Sequence, residues 1–192
     1  MLMKVFPHGT GEGDKPSRYL VRPDYPGRDT APPQILRGDL AMTRALIDSI
    51  ERRWKFTSGA LSWHPNDKVS EEQEEEVMDA FERVAFAGLE ADQRNILWVR
   101  HTHAGHHELH FLIPRLELSS GKDFNACPPG WQKDFDVFRD LFNWREGWAR
   151  PDDPARARDE LPKKADLFKA RMAKWGKEIR ESDRDRAKEV IH

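Results

Sequence analysis

The sequence predicts an α+β protein: a central antiparallel sheet with helices packed on it. Three observations lead there. The strongest strand signals, residues 95–101 (NILWVRH) and 108–118 (ELHFLIPRLEL), follow each other as the arms of a hairpin. Helix-start signatures precede amphipathic runs after Asp39 and Ser70. Strands and helices also succeed one another irregularly, without the βαβ repeat of a parallel sheet.

Taken in order, residues 3–6 (MKVF) read as a short strand followed by a glycine loop. A brief helical turn comes next, with Pro16 suited to a first helical position and Pro23 marking its end. Residues 23–33 (PDYPGRDTAPP) are a loop by their prolines, glycine and aspartates. A short apolar piece, Gln34–Arg37, leads into a helix over 40–54. Asp39 is its N-cap, and Leu40, Leu46 and Ile50 contribute to its apolar stripe. Residues 56–63 (FTSGALSW) alternate like a strand. Ser70 and Gln73 form a capping-box pattern ahead of a long acidic helix reaching about Gly88, with Val77, Phe81, Val84 and Ala85 inward and the acids outward. Pro114 predicts an edge position or a bulge in the strand that holds it. Helices resume over 135–148 and from Lys163 onward.

The chain has 192 residues, 38% hydrophobic and 34% charged, which suits one soluble domain with a real core. No apolar run is long enough to span a membrane, and the opening MLMKVFPHG lacks the regions of a signal peptide. One cysteine, Cys127, excludes an internal disulfide framework and suits a reducing cytoplasm. The formal net charge of -2 argues against a uniformly basic nucleic-acid binder. Charge is segregated, however: residues 71–92 are acidic and residues 163–180 basic. The domain is expected over 1–160, with 161–192 a charged helical extension that begins a longer protein.

Five of the eight histidines fall within HTHAGHHELH, residues 101–110. A two-residue turn at Ala104–Gly105 would set His101 directly across the ladder from Glu108. Side chains alternate faces along a strand, so His101, His103, His106, Glu108 and His110 project from one face, and Leu109, Phe111 and Ile113 from the other, toward a core. Facing Cβ atoms lie about 5 Å apart, close enough for three side chains to converge on one ion. Two imidazoles and a carboxylate suit Mn, Fe, Ni, Co or Zn and leave positions open for a substrate oxygen. On pattern alone a solvated loop tip rich in histidine is the competing reading, above all for His103, His106 and His107.

The segment HTHAGHHELHFLIPRLELSSGKDFNACPPGW resembles the metal-motif segment of plasmid mobilisation relaxases, MobA-like members of the HUH superfamily of single-strand endonucleases. The subgroup it resembles carries a His–Glu–His or His–Glu–Asn site, with glutamate seven positions after the first histidine and the last ligand nine after it. Those positions here are His101, Glu108 and His110. Similarity extends over about residues 17–158, including ILRGD, TSGALSW, ILWV and PDDPAR. The resemblance implies a relaxase-like palm fold and metal-assisted nicking of a plasmid transfer origin. It implies a 5′-phosphotyrosine intermediate and later rejoining of the strand during conjugative mobilisation. A divalent ion, Mn or Mg first, is the expected cofactor. The implied partners are single-stranded or hairpin DNA at the origin, an accessory mobilisation protein, and the coupling and secretion machinery. The chain is expected to act as a cytoplasmic monomer.

Such chemistry needs a tyrosine, and the chain has two. Tyr19, in SRYLV, occupies the N-terminal position that the resemblance implies for the nucleophile and is likewise followed by leucine; Tyr25, in PDYPG, is the fallback. A free phenol has a pKa of about 10, so a base or the field of the metal is required. Asp14, Asp24 and Glu108 are the carboxylates considered for that role. Arg37, Arg44, Arg52, Arg53 and Lys55 are candidate phosphate contacts, with Trp54 and Trp63 as stacking surfaces. The competing functions are a rolling-circle replication initiator, a metal-dependent hydrolase without a covalent tyrosine, and a non-catalytic DNA-binding module.

Overall fold

The computed structural model describes residues 1–150. The helix expected from Lys163 and the extension over 161–192 lie outside the described residues. Within them, strands β1 (Leu2–Val5), β2 (Gln34–Arg37), β3 (Phe56–Ser62), β4 (Leu97–His101) and β5 (Glu108–Pro114) alternate with helices α1 (Asp14–Val21), α2 (Leu40–Asp48), α3 (Glu71–Ala85) and α4 (Gln132–Glu146). The strands form one sheet in the order β1-β3-β5-β4-β2, and every neighbouring pair is antiparallel. This is the α+β architecture expected from the sequence.

The sheet separates two apolar clusters, and strand alternation decides which residue joins which. Met3, Leu61, Trp98, Leu109, Phe111 and Ile113 face α3 and α4, where Val77, Phe81, Phe135 and Phe138 meet them. Leu97, Val99 and Leu112 face the opposite way, against Leu20 of α1 and Ile47 of α2. His101 continues the second set on β4, and Glu108 and His110 continue it on β5. The polar cluster therefore lies on the sheet face that α1 and α2 cover.

Several local expectations change. The strand carrying Pro114 is the central strand, not an edge. Pro114 is tolerated because it lies past the end of the β4 ladder, which stops at Leu112, while on the β3 side Arg115 N–H carries the pairing on to the Lys55 carbonyl. The second helix stops at Asp48 instead of running to Trp54. The Ser49 hydroxyl donates back to the Leu46 carbonyl and Ile50 N–H donates to Ile47, a tightened turn that ends the helix and drives Ile50 into the core. Its buried line is Thr43, Ile47 and Ile50; Leu40 and Leu46 are only half-buried. The capping box at Ser70 and Gln73 forms as expected, yet the acids of α3 are not all outward: Glu74 and Glu82 are buried. Glu74 meets Arg100 of β4 at 2.9 Å, and Glu82 accepts from the indole of Trp98 at 3.1 Å and from Arg37 at 2.8 Å.

Candidate functional site

The β4–β5 hairpin holds the candidate ligands in register. His101 pairs with Glu108 and Val99 with His110, which sets all three side chains on one face. One donor atom from each of His101, Glu108 and His110 lies within 4.8 Å of the other two. The connection differs from the two-residue turn expected at Ala104–Gly105. Ladder pairing ends at His101 and Glu108, and Gly105 N–H donates to the Thr102 carbonyl, closing a turn centred on His103 and Ala104. Gly105 is its fourth residue and has φ of 76°, a value glycine adopts without strain.

Two of the three candidate ligands, His101 and Glu108, are oriented by groups outside the trio. His101 is buried, and its Nε2–H donates to the Leu20 carbonyl at 2.7 Å, which leaves the lone pair on Nδ1. Burial lowers its pKa to about 4, with His110, Arg28 and His103 acting in the same direction. Glu108 accepts from His110 Nε2 at 3.1 Å, from His106 Nε2 at 3.0 Å and from the Ser62 hydroxyl at 3.1 Å. Its hydrogen bond with His110 is the main reason that its carboxyl is held down to about 2. The rings of His101 and His110 are 4.3 Å apart. Two imidazoles and a carboxylate are donor types that a divalent ion takes, although His101 Nδ1, the nitrogen left free by Leu20, also faces Arg28 Nη2 at 3.4 Å. A neutral imidazole offers a lone pair, and the Glu108 carboxylate is ionised at neutral pH.

Tyr19 sits in the last turn of α1. It is 42% exposed and lines, with His110, Leu20, Phe6 and Ser58, a cavity of about 110 Å³. Its ring meets that of Tyr25 edge-on at 6.0 Å, and Tyr25 meets His103 at 5.4 Å. Burial, and secondarily Tyr25, raise the Tyr19 pKa above its ordinary value, while Arg28 opposes that shift. Among the described residues the Tyr19 hydroxyl has no hydrogen-bond partner. Of the carboxylates considered as a base, Asp14 is held by Arg44 at 2.8 Å, Asp24 lies near Arg22 at 3.8 Å, and Glu108 is occupied by its histidines. Cys127 is buried, and burial pushes its thiol up to about 12, so it is no nucleophile.

The histidines outside the trio divide by face. His103 and His106 border the site, whereas His107 lies behind it, 2.6 Å from Glu74 and against the ring of Trp63. Trp63, considered as a stacking surface, is 2% exposed and packs on Trp148, so it is core. Trp54 is exposed and carries Arg53 over its ring. Arg37 lies on the α3 face among Glu75, Asp79 and Glu82 and is not brought to the ligands. Arg44 is paired with Asp14 and Asp48. Arg52 donates to the carbonyls of Arg115 and Gly121, and Lys55 follows it in the segment entering β3. Arg28, missed in the sequence, is buried in the loop over 23–33, where proline and glycine signal a turn and nothing signals an inward cation.

The antiparallel sheet and its polar face are those expected of a relaxase-type DNA endonuclease. A family model described as relaxase, MobA/VirD2-like, nuclease domain, matches residues 33–143, and the chain belongs to that family. It is 39% identical over 170 residues to cryptic plasmid protein C of Neisseria gonorrhoeae, covering 87% of this chain and 80% of that protein. It is 34% identical over 168 residues to DNA relaxase MbeA of Escherichia coli, covering 84% of this chain and 32% of that protein. No solved structure matches it. Among the described residues, no helix is long and apolar enough to cross a membrane.

Proposed function

We propose that the chain nicks one strand at a plasmid transfer origin, with Tyr19 as nucleophile and His101, Glu108 and His110 as ligands of a divalent ion, Mn or Mg. The observation that carries this reading is the junction of the two parts. Tyr19 and His110 line the same cavity, and the residue after Tyr19 supplies the carbonyl that orients His101. A relative that bears the name DNA relaxase supports the same reading.

A bound ion there would draw charge from the non-bridging oxygens of the scissile phosphate. The Tyr19 phenol loses its proton, its oxygen forms a bond to phosphorus, and the bond from phosphorus to the 3′ oxygen breaks. That oxygen takes up a proton and leaves as a 3′-hydroxyl, while the 5′ end stays on Tyr19. Reversal by a 3′-hydroxyl rejoins the strand. Ser62 and His106 hold the carboxylate of Glu108 in place, and Leu20 holds the ring of His101. The DNA would be single-stranded or hairpin, with Arg52, Arg53 and Lys55 toward phosphates and Trp54 toward a base. An accessory mobilisation protein and the coupling and secretion machinery would act on the resulting adduct.

The test uses single-stranded oligonucleotides tiled across the DNA adjacent to the gene, incubated with the protein and Mn²⁺ and resolved on a denaturing gel. The expected result is a covalent protein–DNA band, lost in Tyr19→Phe and retained in Tyr25→Phe, with oligonucleotide binding intact in both. Adduct surviving in Tyr19→Phe would move the nucleophile to Tyr25. Nicked product without adduct would make the protein a hydrolase.

A further inference from the structure

We propose that Arg28 is a positioning residue for this reaction, clamping the Tyr19 phenol against the hairpin that carries the ligands. The inference rests on the assignment of Tyr19 as nucleophile and adds a residue to it.

The clamp begins with a gap in the α1 hydrogen-bond ladder. The Tyr19 carbonyl would ordinarily accept from the N–H four residues later, but that residue is Pro23, which has none. Arg28 supplies the missing donor. Its Nη1 donates to the Tyr19 carbonyl at 2.6 Å and to the Arg22 carbonyl at 3.1 Å, tying both ends of the last turn to one group. Its Nη2 lies 3.4 Å from Nδ1 of His101, so the same guanidinium abuts a proposed metal ligand. The guanidinium carbon is 5.2 Å from the ring centre of Tyr19 and 4.8 Å from that of Tyr25, within cation–π range of both. The side chain is 1% exposed.

The loop that carries Arg28 is itself fixed to the hairpin tip. Gly27 has φ of 81°, and a Cβ placed on it would stand 3.0 Å from the His103 carbonyl oxygen, so a larger residue would push the loop away. Arg28 thus reads as a keystone between α1, Tyr25 and His101. A buried cation is costly unless its donors are used. Here Nη1 is used twice, Nη2 faces His101, and the two phenol rings lie against the guanidinium from neighbouring directions, while the buried Nε has no partner. The charge also favours the phenolate of Tyr19 over the phenol.

Geometry of this kind separates arginine from lysine. A lysine keeps the charge and could reach the two carbonyls, but it is a point charge without the planar second nitrogen that faces His101 while the first holds the carbonyls. Arg28→Lys and Arg28→Gln are therefore assayed as full chains with the adduct-forming oligonucleotide and Mn²⁺. Three quantities are read: melting temperature, oligonucleotide affinity by anisotropy, and the adduct rate constant at saturating DNA across pH. In Arg28→Gln the affinity should stay within about two-fold while the saturated rate falls about 100-fold, the cost of a misplaced reacting group. The pH of half-maximal rate should also move upward. Arg28→Lys should restore the pH midpoint without restoring the full rate. If Arg28→Gln does not fold at the assay temperature, the rate and midpoint of Arg28→Lys decide alone.

A saturated rate and pH profile unchanged in either folded variant would overturn the clamp and leave the nucleophile assignment standing. So would a loss explained wholly by weaker DNA binding. Wild-type adduct that persists in Tyr19→Phe would overturn the nucleophile assignment, and the clamp with it.

Discussion

At the scale of single residues, His101 is the most constrained member of the site. One nitrogen is committed to the Leu20 carbonyl and the other faces Arg28. Burial holds the ring neutral down to about pH 4, whereas an exposed imidazole protonates near 6.5. The unfolded chain therefore binds more protons than the folded one across that interval, and stability falls as pH drops from 6.5 to 4. Melting curves of the metal-free protein over this range should show the decline, and His101→Gln should flatten it. Glu108 behaves likewise at lower pH: its contribution is complete above about 4.5 and is lost as pH falls toward 2. His101→Ala should also abolish cleavage and reduce Mn²⁺ binding in calorimetric titration by roughly 10-fold or more, since a lost ligand costs at least what a lost orienting partner does.

At the scale of elements, α3 braces the hairpin from behind. Glu74, 2% exposed, reaches through to Arg100 of β4 and to His107 of the tip. Removing it leaves Arg100 with less compensation, so Glu74→Ala should destabilise the fold by about 3 kcal/mol, measured by urea denaturation. Expected from the sequence to point outward, Glu74 shows where sequence patterning stops being informative. The hairpin register was legible because a one-residue slip would turn Leu109, Phe111 and Ile113 out of the core. Periodicity likewise located α3 and its cap. Whether an acid on the border of an apolar stripe turns inward depends on what the facing strand offers, here Arg100 and the Trp98 indole, and local pattern carries no such information. The same holds for Arg28, whose value comes from Pro23, Tyr19 and His101 together, and for Trp63, whose strand alternates correctly but ends inside the core. That His101, Glu108 and His110 lie together was legible because strand geometry makes neighbours of facing positions, and the family resemblance singled them out from His103 and His106 on the same face.

At the scale of the whole molecule, acidic and basic side chains are nearly balanced in number. The formal net charge is -2, and of the candidate phosphate contacts Arg37 and Arg44 are held by carboxylates. If Arg52, Arg53 and Lys55 make about three contacts with a single strand, log affinity should fall with log salt at a slope of about −2. A much steeper slope, measured by anisotropy between 50 and 200 mM salt (roughly the usual range for such titrations), would require phosphate contacts beyond these three. The hydrogen bond from His101 to the Leu20 carbonyl has a further consequence, because it links the helix that bears Tyr19 to a candidate ligand on the hairpin. If the proposed function holds, a DNA strand that pulls on α1 would also turn this imidazole relative to the ion, and the helix would work as a lever on ion retention. Reciprocity then requires an empty centre to change the grip on the strand by the same factor.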